Sequence, residues 1–212
     1  MKYCEGLELR HPSLKPMVKH IQDAVLLLKE RVLKGNKIFT AGNGGSAADA
    51  EHIVGELMKG FRLKRELTDS QKQEIQRACP NECDEIARHL QQAIPAISLV
   101  SGVALPTAFA NDVNGHYVFA QQLYGLGNKG DVLIAISTSG NSINIINAVK
   151  VAAVKGIHVI GLTGRDGGRL AGLSDIAIQA PADDVAEIQE FHLPIYHCLC
   201  SQLESELFGD GC

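Results

Sequence analysis

Two short runs constrain this chain more than any other feature: Ala41-Gly42-Asn43-Gly44-Gly45-Ser46 and Ile136-Ser137-Thr138-Ser139-Gly140-Asn141-Ser142. Each follows an apolar segment of strand character, 37–40 and 131–136, and each precedes a segment of helical spacing. A small turn of this kind between strand and helix holds a phosphate easily. Glycines let the backbone approach, hydroxyls donate hydrogen bonds, and the first N–H groups of the helix point at the anion. Neither run is a P-loop. One such turn says little. Two serine-rich turns in one chain point to a phosphate site, and a phosphorylated sugar is the working reading.

The chain has 212 residues, enough for one α/β domain with a substantial core. Its net charge of −4 weighs against a generic nucleic-acid binder. No apolar run reaches the ~18 residues of a membrane span, and residues 1–6 lack the apolar core of a signal peptide. A cytoplasmic location, with no membrane and no nucleic acid as partner, is the expectation. Of six cysteines, Cys198 and Cys200 fall in an apolar helical pattern, Cys4 and Cys212 lie near the ends, and Cys79 and Cys83 flank 80–82. Reduced thiols are expected in that compartment. The Cys79/Cys83 spacing makes half a zinc site without a second Cys/His pair.

Along the chain, residues 12–35 read as one long helix, with Val18, Ile21, Ala24, Val25, Leu28 and Val32 on one side. Such a helix covers a sheet or packs on another subunit. A helix over 46–60 follows the first glycine turn. On it His52 and Glu56 project from one face at i and i+4. A solvated pair is the ordinary reading; six residues from a phosphate turn, a functional pair is the sharper one. Residues 61–94 are charged and Gln-rich, and read as a helical insertion with helices at 69–78 and 82–92. A surface insertion and a lid both remain open.

Further strands are expected at 95–99, 131–136, 157–163 and 175–179, after one at 36–41. Helices are expected at 116–126, 142–155, 169–173 and 185–207, with a helix or loop at 104–111. Asn111-Asp112 either caps the next element or binds a sugar hydroxyl. The near-continuous apolar run at 131–136 is the pattern of a strand buried on both faces. The sum is a single α/β domain over 1–212, a doubly wound parallel sheet of about five strands flanked by helices. Ligands of such sheets bind at the carboxyl ends of the strands, where both turns belong.

On the last helix Gln189 and His197 share a face, though about 12 Å apart along the axis. His192 and Glu190 lie on other faces. A histidine among Leu193, Ile195, Tyr196 and Leu199 is ordinarily a partly buried side chain, and nothing so far links it to His52 and Glu56.

Three runs in order, 42–52, 136–142 and 188–192, closely resemble the sugar isomerase (SIS) domain, and within it the sedoheptulose 7-phosphate isomerase family. The resemblance covers about 12–207, apart from much of 61–94. It implies the SIS fold and conversion of a ketose phosphate to an aldose phosphate through an enediol. It implies that Ser46, Ser137, Thr138, Ser139 and Ser142 hold the phosphate. Asn43 and Gly44 would contact the substrate from the first turn, Asn111 and Asp112 would contact the sugar, and Gln189 would join the substrate site. Glu56 and His197 match the catalytic pair. His52, Glu56, Gln189 and His197 match a zinc site. The family forms homotetramers with active sites shared between subunits, which brings distant helices together.

Isomerisation moves a hydrogen between C1 and C2, so it needs a base, an acid and stabilisation of an enediolate. The resemblance gives Glu56 the first role and His197 the second, with zinc polarising the substrate oxygens. One departure concerns a family arginine, in whose place this chain has Lys59-Gly60-Phe61; Lys59 or Arg62 is the nearest source of that charge. The long 61–94 segment is another. The rival reading is a non-catalytic SIS protein that binds a replication initiator or senses a sugar phosphate. In such initiator-binding relatives the positions of Glu56 and His197 lack acid–base groups, and here both are present.

Overall fold

The computed structural model describes residues 1–209, and within them a single parallel sheet carries the fold. In chain order the elements are α1 (Lys2–Arg10), a 3-10 segment (Pro12–Met17), α2 (Val18–Leu33), β1 (Ile38–Ala41) and α3 (Gly45–Met58). Then come α4 (Asp69–Ala78), α5 (Cys83–His89), β2 (Ala96–Ser98), α6 (Ala104–Phe109) and α7 (Val118–Leu126). The chain ends with β3 (Val132–Ile136), α8 (Ile143–Lys155), β4 (His158–Thr163), α9 (Gly168–Leu173), β5 (Ile176–Gln179) and α10 (Val185–Phe208).

The five strands run parallel in the order β2-β1-β3-β4-β5. Alternate residues of each strand face opposite sides. Ile38, Val132, Ile134 and Ile136 enter a core under α1, α2, α3 and α10. Phe39, Ala41, Leu133 and Ala135 enter a second core under α7 and α8. β3 is buried along its whole length, as its apolar run requires. The chain leaves β1 for β2 on one side and returns to β3 on the other. The strand order therefore reverses between β1 and β3, and both glycine/serine turns leave that point.

The expected helix over 12–35 is corrected in two ways. Pro12 and Pro16 hold residues 12–17 in a 3-10 segment, and the α-helix proper begins at Val18. A separate helix, α1, precedes it and packs Cys4 and Leu7 into the core. The stretch 104–111, expected as a helix or loop, is helical as far as Phe109. A π-helical stretch at 110–114 and a 3-10 turn at 115–117 lead into α7. The insertion is helical as expected. A capping box, Thr68 with Gln71, starts α4. No hydrogen bond among the described residues joins α4 or α5 to His52, Glu56 or His197. The five described cysteines are free thiols; Cys212 lies outside the described residues.

Candidate active site

The first turn is shaped by contacts that only glycine permits. A Cβ on Gly42 would come 2.1 Å from the Ser46 carbonyl oxygen, and Gly44 has φ +55°. Ser46 is buried beneath this turn, in the first turn of α3. In the second turn Ser137 Oγ and Ser142 Oγ lie 3.0 Å apart, and Asn141 N donates to Ser139 Oγ at 3.2 Å. Ser142 is the N-cap of α8 without a side-chain capping bond. Its hydroxyl is turned to Ser137 instead. Thr138, Ser139 and Asn141 line a cleft of about 260 Å³ together with Arg165 and Asp166. The hydroxyl residues Thr138 and Ser139 share this cleft with the Arg165 guanidinium, which donates to the Asp183 carboxylate on the same wall.

The two turns are tied to each other. Asn43 Nδ2 donates to Asn144 Oδ1 at 2.9 Å, and Asn144 Nδ2 donates to Asn43 Oδ1 at 2.8 Å. Neither composition nor periodicity singles out Asn144, and the sequence reading missed it.

Helices α3 and α10 run side by side in the same direction. At their N-terminal ends Gln189 packs on Gly45, where a Cβ would come 2.5 Å from Gln189 Nε2. Seven residues on along α3 and eight along α10, His52 meets His197. His52 Nε2 is 3.1 Å from Glu56 Oε1 and 3.5 Å from His197 Nε2. Lys59 Nζ donates to Glu56 Oε2 at 3.2 Å, and Phe61 packs on the His197 ring with centroids 5.5 Å apart. Burial, then the neighbouring His52, pushes the His197 imidazole below its usual pKa; Glu56 pulls the other way and Arg62 adds to the lowering. A second cleft, about 490 Å³, opens on His197 and is lined by Arg10, His11, Arg62 and Glu190.

The loop after α3 is fixed by a buried ion pair. Arg65 and Glu204 are both fully buried, with Arg65 Nε donating to Glu204 Oε1 at 2.8 Å. The same carboxylate accepts from Phe61 N, Arg62 N and Leu63 N. Arg65 also donates to the Leu57 and Glu56 carbonyls. Glu204 thus sets where Phe61 and Arg62 stand.

Two expected groupings do not form within one chain. Gln189 lies at the Gly45 end of the helix pair, about 12 Å along α10 from His197. Asn111 and Asp112 lie on the exposed stretch at 110–114. Asn111 Nδ2 donates to Asp112 Oδ1 at 2.8 Å, and among the described residues no hydrogen bond links either to the serine turns or to His52. His52, Glu56 and His197 bring two imidazoles and a carboxylate to one place, donors that suit zinc. As they stand, no three such side chains among the described residues form a closed metal cage.

The SIS domain family model matches residues 7–71 and 85–164, skipping part of the insertion. The phosphoheptose isomerase of Coxiella burnetii strain RSA 331 is 37% identical over 206 residues, covering 96% of this chain and 90% of that one. The solved phosphoheptose isomerase of Neisseria gonorrhoeae is 32% identical, with a TM-score of 0.75 over 96% of this chain and 95% of that one. The enzyme of Francisella tularensis is 30% identical, with a TM-score of 0.76 over 95% and 93%. With the fold and the sequence matched over nearly the full length, the chain belongs to the SIS-domain family, in its phosphoheptose isomerase branch, and is an isomerase.

Proposed function

We propose that this enzyme converts sedoheptulose 7-phosphate to D-glycero-D-manno-heptose 7-phosphate. The observation that carries the reading is the meeting of His52, Glu56 and His197 two turns along α3 from the first glycine turn. Seven residues of helix separate Gly45 from His52, about 10 Å. That span is comparable to an extended seven-carbon chain, phosphate at one end and C1–C2 at the other. The serine turns anchor the phosphate through Ser46, Ser137, Thr138, Ser139 and Ser142. The anchored phosphate positions C1–C2 at the histidine cluster.

In this reading Glu56 removes the proton at the carbon next to the carbonyl. Its Oε1 faces His52, and Lys59 on Oε2 holds the carboxylate in place. His197, held neutral by its lowered pKa, serves the substrate oxygens as the proton moves between them. Arg62, in the cleft beside His197, adds positive charge near the enediolate. His52, Glu56 and His197 would hold a zinc ion, which would supply Lewis-acid polarisation of the substrate oxygens.

We further propose a homotetramer with shared sites, acting in the cytoplasm. Within one chain Gln189 packs at Gly45, two helical turns from His197, and in the shared site it is the partner subunit's Gln189 that completes the cluster. The exposed apolar residues Val103, Leu105, Val113 and Tyr117, around Asn111 and Asp112, suit a subunit contact.

The test is turnover of sedoheptulose 7-phosphate by wild type and Glu56→Gln. Wild type should form the aldose, and the variant should lose about 10²–10⁴-fold in kcat. Near wild-type turnover by the variant would remove Glu56 as the base.

A further inference from the structure

Helix α1 carries a nucleophile that the isomerisation does not use, the Cys4 thiol, and it faces a second thiol on α10. Cys4 and Cys198 are 194 residues apart in sequence and both are buried, with their Sγ atoms 3.7 Å apart. Among the described residues no other two thiols make such a contact; Cys83 Sγ donates to the Lys72 carbonyl instead. Next to Cys4, Tyr3 N donates to Gln202 Oε1 at 3.0 Å. That bond docks the start of α1 on α10 and keeps the two sulfurs in register.

The pair can be reached from one side. Cys198 lines the cleft that opens on His197, together with Tyr3, Arg10 and His11. Cys4 is fully buried and does not line it. A small oxidant entering the cleft therefore meets Cys198 first, with Cys4 waiting in contact with it. To become a disulfide the sulfurs must close from 3.7 Å to about 2.05 Å, so one helix has to give. Helix α10 is buried at every residue from Cys198 to Glu204, and Glu204 ties it to the loop after α3. Helix α1 buries only Cys4 and Leu7. It is α1 that yields, drawn toward α10.

We infer that Cys4 and Cys198 are a modification site for peroxide, whose disulfide staples α1 onto α10 at the wall of the His197 cleft. In the first step the Cys198 sulfur attacks hydrogen peroxide. An S–O bond forms, the O–O bond breaks, and the thiol proton leaves with the departing oxygen as water. In the second step the Cys4 sulfur attacks the Cys198 sulfur. The S–S bond forms, the S–O bond breaks, and a second water carries off the Cys4 proton. The two thiols lose two electrons and one peroxide gains them. Arg10 and His11, at the end of α1, move with the helix and narrow the cleft they line. Oxidation thus restricts access to His197, and a reducing thiol restores it.

The disulfide rests on the geometry of the two helices; its effect on turnover rests on the substrate reading above. Reduced full-length protein is treated with hydrogen peroxide, its remaining thiols are blocked with N-ethylmaleimide under denaturing conditions, and the digest is mapped by mass spectrometry without reduction. Wild type should give a linked Cys4–Cys198 peptide that dithiothreitol removes. KM for sedoheptulose 7-phosphate should rise several-fold as the link forms and return on reduction. Cys4→Ser should give no link, leave Cys198 as a sulfenic acid that dimedone traps, and lose the rise in KM. Recovery of both Cys4 and Cys198 as maleimide adducts from peroxide-treated wild type would overturn the proposal, even if Cys4→Ser failed to fold. So would a link of either thiol to a different cysteine in place of this one. A Cys4–Cys198 link with unchanged KM would overturn the effect on the cleft. Reduced wild type inactive on heptulose phosphates would refute the substrate reading and leave the mapped link standing.

Discussion

Asn43 and Asn144 hold each other through two amide–amide hydrogen bonds of 2.9 and 2.8 Å, 101 residues apart in sequence. The pair bridges the point where the strand order reverses. One partner sits in the turn after β1 and the other in the first turn of the helix after β3. The proposed phosphate site draws on two turns on separate loops, which must keep a fixed spacing, and this bridge fixes it.

Replacing Asn144 with Ala should therefore act on binding more than on chemistry. The bonds lie at an exposed edge, so the loss in stability should be about 1 kcal/mol. The turns then move independently, and KM for the phosphosugar should rise several-fold while kcat stays near wild type. Steady-state kinetics beside urea unfolding check both parts. An unchanged KM would mean that each turn is set by its own strand and helix alone.

The buried pair Arg65–Glu204 predicts a much larger effect. Glu204 accepts from three backbone N–H groups and one guanidinium, and its side chain is fully buried. Glu204→Ala strands the Arg65 charge in the core and should cost about 3–5 kcal/mol in chemical denaturation. The double change Arg65→Met with Glu204→Leu should cost less than the single one, because no unpaired charge remains. Activity should fall in both, since Phe61 loses the anchor that seats it on His197.

How much of this was legible in the sequence depends on what kind of contact made it. The strands and both turns follow from local pattern. An apolar run such as 132–136 has few other ways to be buried, and glycine beside serine has few reasons to recur at strand ends. The face shared by His52 and Glu56 is equally local. The break before Val18 was signalled by Pro12 and Pro16, yet the hydrophobic spacing outweighed them. Helix α1 was missed because only Cys4 and Leu7 of its residues are buried, too few to mark a stripe. Contacts between distant elements left no trace. That His52 meets His197 depends on the register of two parallel helices 145 residues apart. Tyr196 with His52 belongs to the same class, as does Glu204 with Arg65.

Asp131 gives the pH dependence of stability a clear sign. Burial alone would raise its pKa, but the Lys37 ammonium at 2.8 Å and backbone N–H donors from Lys37 and Asn128 outweigh it and hold the carboxyl below its usual value. A carboxylate depressed in the folded state contributes stability that is full above its unfolded pKa, about 3.9. That contribution disappears as pH falls through the lower folded value. Asp131→Asn should thus lower the melting temperature at neutral pH and flatten its decline below about pH 4. Thermal melts across that range test it. A parallel decline in both proteins would show that other carboxylates dominate acid unfolding.

The separation of Gln189 from His197 makes the shared-site proposal testable without a structure of the assembly. One chain holds the two about two helical turns apart, with Gln189 packed at Gly45. In the shared-site proposal the two groups of one centre come from different subunits. Gln189→Leu and His197→Asn should each abolish or cripple turnover alone, and each should bind less zinc. Co-expressed, the two variants should regain activity. A site built from one subunit's Gln189 and another's His197 has both groups intact in about a quarter of randomly assembled cases. A site drawing both from the same chain would always lack one. Chelator should abolish the recovered activity, and zinc should return it if the metal belongs to this site. Differently tagged subunits, purified in tandem, exclude simple mixtures of homo-oligomers. Hybrids as inactive as their parents would overturn the shared site and leave Gln189 and His197 to act from one chain.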